Sequence, residues 1–422
     1  FSQNYPESNE FAFKGDAALN IPDGGLPSLW TFDGLTHQGG DQFMVYPRYF
    51  HGGNAYFGSK PSVAPYQFDM GIFAVSKSKV PNIPKFNIRV DKTRTWWDGA
   101  NFGCQSTGSV EGECALSWPL PKDVRFRLEI RTSIPITSFM HGRLLDPTIK
   151  ISADSSGNQI FSIEAGSVSV PVLNTWGKNS ELPKALRDYL YAMTRDNVQL
   201  LINYDQYTSE TFQEYLWWLE VAKDKSIGDK TMWIAHTLGA AEVGSAGETI
   251  KKCLGDTKNL TGIVTTNAGM YVSSPPTFNQ TTQSLDYKVT SPHFNEAGKA
   301  NVGNYNLVIG SEAARCIYGF TKAPVSATVS IISADGTAQV ASTTVNEKNG
   351  WIYLSANGFN YSAPTVRVKL TQEAEKPSAT PSPSTSTAAA VAKKVTITCV
   401  KGKTSKKVTA VKPVCPTGFK KK

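Results

Sequence analysis

Val124-Arg125-Phe126-Arg127-Leu128-Glu129-Ile130-Arg131 alternates apolar and charged side chains without a break. In an extended chain successive side chains point to opposite faces. Val124, Phe126, Leu128 and Ile130 therefore share one face, and Arg125, Arg127, Glu129 and Arg131 the other, as in a strand with one side in a core and one in water. Shorter stretches of the same kind lie at 67–75, 148–152 and 159–164. The last two are separated by Asp154-Ser155-Ser156-Gly157-Asn158, a hairpin-like loop. Turn signals such as Pro22-Asp23-Gly24-Gly25 and His51-Gly52-Gly53-Asn54 punctuate the whole region. Residues 1–180 are expected to form a β-rich domain of sandwich or jelly-roll type.

Outward from there the period changes. Leu186, Leu190, Met193, Val198 and Leu201 follow helical spacing, with Pro183 suited to a first turn. Phe212, Tyr215, Leu216 and Leu219 form a second stripe at i, i+3, i+4 and i+7, which places Trp217-Trp218 in packing positions. Residues 181–246 are expected to hold an αα-hairpin. Seven strand candidates then follow, at 262–266, 285–289, 304–309, 325–332, 339–345, 351–354 and 365–370. Their rhythm suggests an immunoglobulin-like sandwich over 247–370. Residues 371–392 are rich in Pro, Ser, Thr and Ala and read as an extended linker before a basic tail at 393–422. The expectation is a mainly β, multidomain chain.

The net charge of +8 over 422 residues is not spread evenly. Ten of the 43 bases are lysines at 393–422, a stretch with no acid, which leaves 33 bases against 35 acids in the rest. Any polyanion contact is therefore expected at the tail. With 40% hydrophobic and 11% aromatic residues the chain has core-forming material, which excludes disorder throughout. No run reaches the ~20 apolar residues of a spanning helix, so no integral membrane segment is expected. The chain opens Phe1-Ser2-Gln3-Asn4, as an exported chain after leader removal would, or a fragment.

Six cysteines fall as three neighbouring pairs: Cys104 and Cys114, Cys253 and Cys316, Cys399 and Cys415. None has CxxC spacing, and an even, locally paired set suggests disulfides in an oxidising, extracytoplasmic compartment. Six cysteines allow fifteen connectivities, among which sequential pairing is preferred.

In the tail, Lys394 to Val400 alternates, Lys401-Gly402-Lys403-Thr404-Ser405 turns, and Lys406 to Val411 runs back. This predicts a hairpin, marginal alone and stapled by Cys399 and Cys415. It would present Lys401, Lys403, Lys406, Lys407, Lys412, Lys420, Lys421 and Lys422 to an anionic envelope polymer. Nucleic acid is disfavoured, since Phe419 is the sole aromatic and Arg is absent. Read as VTITCVKGKTSKKVTAVKPVCPTGFKKK, the tail resembles a C-terminal module of exported actinobacterial proteins. The stretch from Tyr305 through Cys316 to Phe359 resembles a module that accompanies it. The resemblance implies export and cell-surface or cell-wall association and carries no activity.

In the body, HExxH, HxH, HxxxH, GxxxxGK[ST] and GxSxG are all absent, so no metal or cofactor is expected. Trp96-Trp97-Asp98-Gly99-Ala100-Asn101 sets two indoles beside a carboxylate and an amide. Trp96, Trp97, Asp98 and Asn101 are thus candidates for stacking on and hydrogen bonding to a glycan, unless an indole is simply core. His141, Arg143 and Asp146, with His51, are the weak candidates for acid–base chemistry; the competing reading pairs Arg143 with Asp146 structurally or starts a turn at Pro147. The leading functional expectation is a surface binding or adhesion protein held by its tail. The alternative is a secreted polysaccharide- or wall-acting hydrolase.

Overall fold

The alternation at 124–131 becomes the strand Arg125–Thr132, in which Phe126 is buried and Arg125, Arg127, Glu129 and Arg131 are exposed. The computed structural model describes residues 28–51, 66–79, 89–91, 94–95, 104–107, 113–191, 199–204, 212–255, 258–321, 325–332, 336, 338–339, 342–361, 365–372 and 394–422. Among these, strands far outnumber the five α-helices, and the protein is mainly β. Two compact units form, Phe1–Glu373 and Ala374–Lys422.

The larger unit is organised by an eleven-stranded sheet. Its main path runs Ser28–Thr31, Gln42–His51, Tyr66–Lys79, Ile234–Thr237, Ser138–Arg143, Leu260–Thr266, Val302–Gly310, Trp351–Asn360, Ser342–Lys348. Ser138–Arg143 and Leu260–Thr266 pair in parallel at its centre, whereas their neighbours pair antiparallel. All seven residues of Leu260–Thr266 are buried, the mark of a strand covered on both faces. One face carries Phe139, Val264, Leu307 and Leu354 against Leu285, Tyr287, Val366 and Val368 of a six-stranded sheet. The opposite face carries Met140, Ile263 and Val308 against Phe126, Phe161 and Ile163 of a three-stranded sheet. Burying each such side chain contributes about 1.5–3 kcal/mol, so the two cores on either side of one sheet dominate the stability of the unit.

This sheet overturns the expected boundaries at 180 and 246. Its central strands come from 138–143, 234–237 and 260–266, so the three expected domains share one sheet and fold as one unit. Six of the seven strands expected between 262 and 370 form, and the one expected at 339–345 is divided between two, Ala338–Gln339 in the six-stranded sheet and Ser342–Lys348 in the eleven-stranded sheet. They are divided between the eleven-stranded and six-stranded sheets, and the former also holds N-terminal strands, so no separate sandwich closes over 247–370. At the end of this unit Thr371 and Gln372 pair with Ser326 and Val325 in Thr365–Gln372, where the linker was expected to begin. Most of the linker lies outside the described residues.

The αα-hairpin is also corrected. Lys184–Tyr191 and Phe212–Val221 are helices, but Gln199–Tyr204 between them is a strand paired with Leu173–Lys178. Leu200-Leu201-Ile202 suits a strand as well as a helix, and an available antiparallel partner decides between them. The two helices bury Leu186, Tyr215 and Trp218 in a shared cluster, with Trp217 packed at its edge. Trp218 Nε1 donates to Glu214 Oε1 at 3.2 Å, which satisfies both buried polar groups.

Cys253 and Cys316 form a disulfide joining the helices Glu248–Leu254 and Ser311–Tyr318. With the two cysteines 63 positions apart, loop-closure entropy makes it worth on the order of 4 kcal/mol. Gly319, at φ 66, ends the second helix, a left-handed conformation that glycine adopts without a steric penalty.

In the smaller unit, Val395–Lys401 and Thr404–Ala410 form the expected hairpin through the two-residue turn Gly402-Lys403. The φ of 59 at Gly402 supplies the positive first position of a type II′ turn. A third strand, Lys420–Lys421, adds to the other side of Val395–Lys401, so the tail is a three-stranded sheet and not a hairpin alone. Cys399 and Cys415 are joined.

Candidate functional site

Ser138–Arg143 places His141 and Arg143 two residues apart, hence on one face, and both are 0% exposed. His236 lies directly opposite His141 on the neighbouring antiparallel strand. Their Nε2 atoms are in hydrogen-bond contact and the rings meet edge-on, with centroids 4.0 Å apart. The Tyr271 ring closes the other side of His141 at 5.2 Å. Burial, then the neighbouring His236 and Arg143, hold His141 well below the ordinary imidazole range. Burial and then Arg48 push His236 down to about 3. Both rings are therefore neutral at neutral pH, and one Nε2–H donates to the other ring.

The Arg143 guanidinium lies over the Tyr271 ring at 4.9 Å and donates through Nη2 to the Gly269 carbonyl at 2.9 Å, and through Nη1 to the Ala268 carbonyl. It thereby ties the central strand to the turn after Leu260–Thr266. Farther along the same register Asp69 faces His236, and Arg48 faces Asp69. Arg48 Nε donates to Asp69 Oδ2 at 3.0 Å. The result is a polar row across four strands, from exposed Arg48 to sealed His141. A general acid or base must reach the substrate proton directly or through one water. His141 is wholly enclosed, whereas His236 and Asp69, between it and Arg48, are part-exposed, so the row links four strands from the surface inward.

Asp146 does not join this cluster. It is exposed at φ 46 where the pairing of Leu145–Ala153 is irregular, and its carbonyl accepts from Arg125 Nη2 at 2.8 Å. The expected structural pairing of Arg143 with Asp146 is thus replaced by Arg143 on the two carbonyls. His51 ends the strand Gln42–His51, its side chain outside the described residues. Trp96, Trp97, Asp98 and Asn101 also lie outside them. His236, Asp69, Arg48 and Tyr271 were missed, because only strand register, invisible in a linear reading, brings them to His141. Cys104 and Cys114 stand on paired strands, Cys104–Thr107 and Glu113–Trp118, with their side chains outside the described residues. Among the described residues no three His, Cys, Asp or Glu converge as metal ligands would.

The tail is built differently. Ile397 and Cys399 face inward, and the chain returning through Cys415 and Gly418 covers that side. Lys401 lies against Gly418, where an added Cβ would meet its Nζ at 3.1 Å, and Lys406 sits 6.0 Å from the centroid of the Phe419 ring. Lys401, Lys403, Lys406, Lys407, Lys412, Lys420, Lys421 and Lys422 are all exposed. No carboxylate side chain exists in 393–422 to neutralise them. Such a surface attracts polyanions at long range, weakening as salt screens it.

Fold and sites together define a mainly β protein with a polar row across four strands of its body and a separate, disulfide-stapled cationic module. No family model, curated protein or solved structure matches the chain. Among the described residues no helix is long and apolar enough to cross a membrane.

Proposed function

We propose that this chain is an exported cell-surface binding or adhesion protein, held to an anionic polymer of the envelope by its lysine-rich C-terminal module. The observation that carries the reading is the separate tail unit, cross-linked and exposing eight lysines from Lys401 onward with no acid among them. Both disulfides fit an oxidising compartment. Sealing His141 removes the best acid–base candidate from the surface, which favours display and binding over hydrolysis. In this reading the N-terminal part of the body presents Trp96, Trp97, Asp98 and Asn101 to a glycan; Trp96→Ala and Trp97→Ala should abolish retention on a glycan array, and unchanged retention would remove the glycan from the proposal.

Attachment through exposed ammonium groups has a plain signature. Protein bound to isolated envelopes at low salt should elute as ionic strength rises from about 0.05 to 0.5 M, where the screening length falls from roughly 14 to 4 Å. Retention independent of salt would rule out an electrostatic hold.

A further inference from the structure

At the end of the helix Phe212–Val221 the larger unit holds a cleft of about 380 Å³, within the size range of small-molecule sites. Its apolar lining is Val221, Ala222 and Ile227. Its polar lining is two hydroxyls, Thr175 and Ser226, two ammonium groups, Lys223 and Lys225, and one carboxylate, Glu296. Lys223 and Asp224 both take φ 55, left-handed backbone that costs a non-glycine residue on the order of 1–3 kcal/mol and persists only where contacts determine it. Asp224 makes those contacts. Its N–H donates to the Leu219 carbonyl at 2.8 Å, its Oδ1 accepts the His293 N–H at 2.7 Å, and its carbonyl accepts the Phe294 N–H at 3.1 Å. The Ser226 N–H then donates to the Phe294 carbonyl at 2.8 Å, so Lys225 and Phe294 are partners in a parallel bridge and their side chains leave on the same side. The Phe294 ring is 39% exposed and stacks on His293, with centroids 4.9 Å and planes 17° apart. An exposed aromatic face thus stands beside the cleft, its orientation set by a hydrogen-bonded loop.

We infer that this cleft, with Phe294 beside it, binds a sugar unit that carries a negative charge. The mixed lining selects the class. Lys223 and Lys225 are both exposed and form no ion pair among the described residues, so together they attract an anionic group. Glu296 repels a bare anion and takes hydrogen bonds only from donors, which the hydroxyls of a sugar provide. Phe294 and Ile227, 47% exposed, offer apolar surface to the C–H face of a sugar ring. An apolar anion leaves Glu296 without a donor, and a neutral sugar leaves both lysines without a counter-charge. Ammonium groups match carboxylate and phosphate alike, so the occupant is a sugar acid or a sugar phosphate. The site involves neither the tail nor Trp96, Trp97, Asp98 and Asn101, and so goes beyond the attachment reading.

Calorimetric titration of the full chain with digalacturonate, glucose 6-phosphate and maltose tests the site. At least one of the two charged sugars should bind, and about tenfold or more tighter than maltose, as two surface charge contacts contribute. Which of them binds tells a carboxylate from a phosphate ester. Lys225→Ala should weaken that binding about fivefold, and Phe294→Ala roughly three- to tenfold. Lys299→Ala removes an equal charge from the turn that carries Glu296 but lies outside the cleft, and should change affinity by less than about twofold. All three side chains are exposed, and an unchanged urea midpoint verifies the fold of each variant. Binding left intact by both Lys225→Ala and Phe294→Ala, or weakened as much by Lys299→Ala as by Lys225→Ala, would put the sugar elsewhere, the tail lysines included, and overturn the cleft. Maltose bound as tightly as the charged sugars would overturn the charge requirement. Absence of binding by all three at millimolar concentration would overturn the site, while the tail's hold on isolated envelopes is read separately.

Discussion

His141 and His236 are two imidazoles placed where neither is charged. In the unfolded chain each titrates near 6.5, whereas in the fold both remain neutral to much lower pH, His236 to about 3. Below about pH 6.5 the unfolded chain therefore takes up protons that the folded chain refuses. Their stabilising contribution, full above that pH, is lost as the pH falls, by up to about 2.7 kcal/mol per pH unit for the pair. It levels off for His236 only near its folded value. Glu164, held low first by Arg127 and then by Arg125, acts in a more acidic window than the histidines, whereas burial raises the Asp69 carboxyl beside His236. The urea midpoint should fall between pH 7 and pH 5, and His236→Gln should reduce that fall by about half; a midpoint unchanged over the interval would contradict the buried neutral pair. His141 was readable as a notable residue. Its partner was not, since the two are 95 positions apart and meet only through strand register.

At the scale of elements, Arg125–Thr132 and Leu260–Thr266 illustrate two kinds of strand. The first has one covered face, and its alternation can be read directly. The second is buried at every position, so its sequence, Leu-Thr-Gly-Ile-Val-Thr-Thr, shows a strand but conceals that two cores flank it. Ile263→Ala, at the face shared with Met140 and Val308, should cost about 2–5 kcal/mol in chemical denaturation. Arg127→Ala, whose guanidinium meets Glu164 with its side chain 65% exposed, should cost no more than about 1 kcal/mol. Comparable losses at the two sites would contradict the layer assignment. Gln199–Tyr204 was misread as helix for a related reason. Its pairing with Leu173–Lys178 is a tertiary event that local spacing does not encode.

Across the whole molecule, strands were legible one by one, but their grouping was not. A change of period near 181 suggested a domain boundary, yet Ile234–Thr237 and Leu260–Thr266 return to flank Ser138–Arg143, and one sheet absorbs all three expected domains. The tail was legible because its signals are local: alternation, a glycine turn, two cysteines 16 apart and the lysines all fall within thirty residues. The third strand emerged only from the structure. The same locality makes the central claim directly testable. Full-length protein and a variant lacking residues 393–422 should be sedimented with isolated envelopes at low salt. The account predicts that the full chain co-sediments while the shortened chain stays in the supernatant, still carrying the Cys253–Cys316 bond. Equal sedimentation of the two would contradict it.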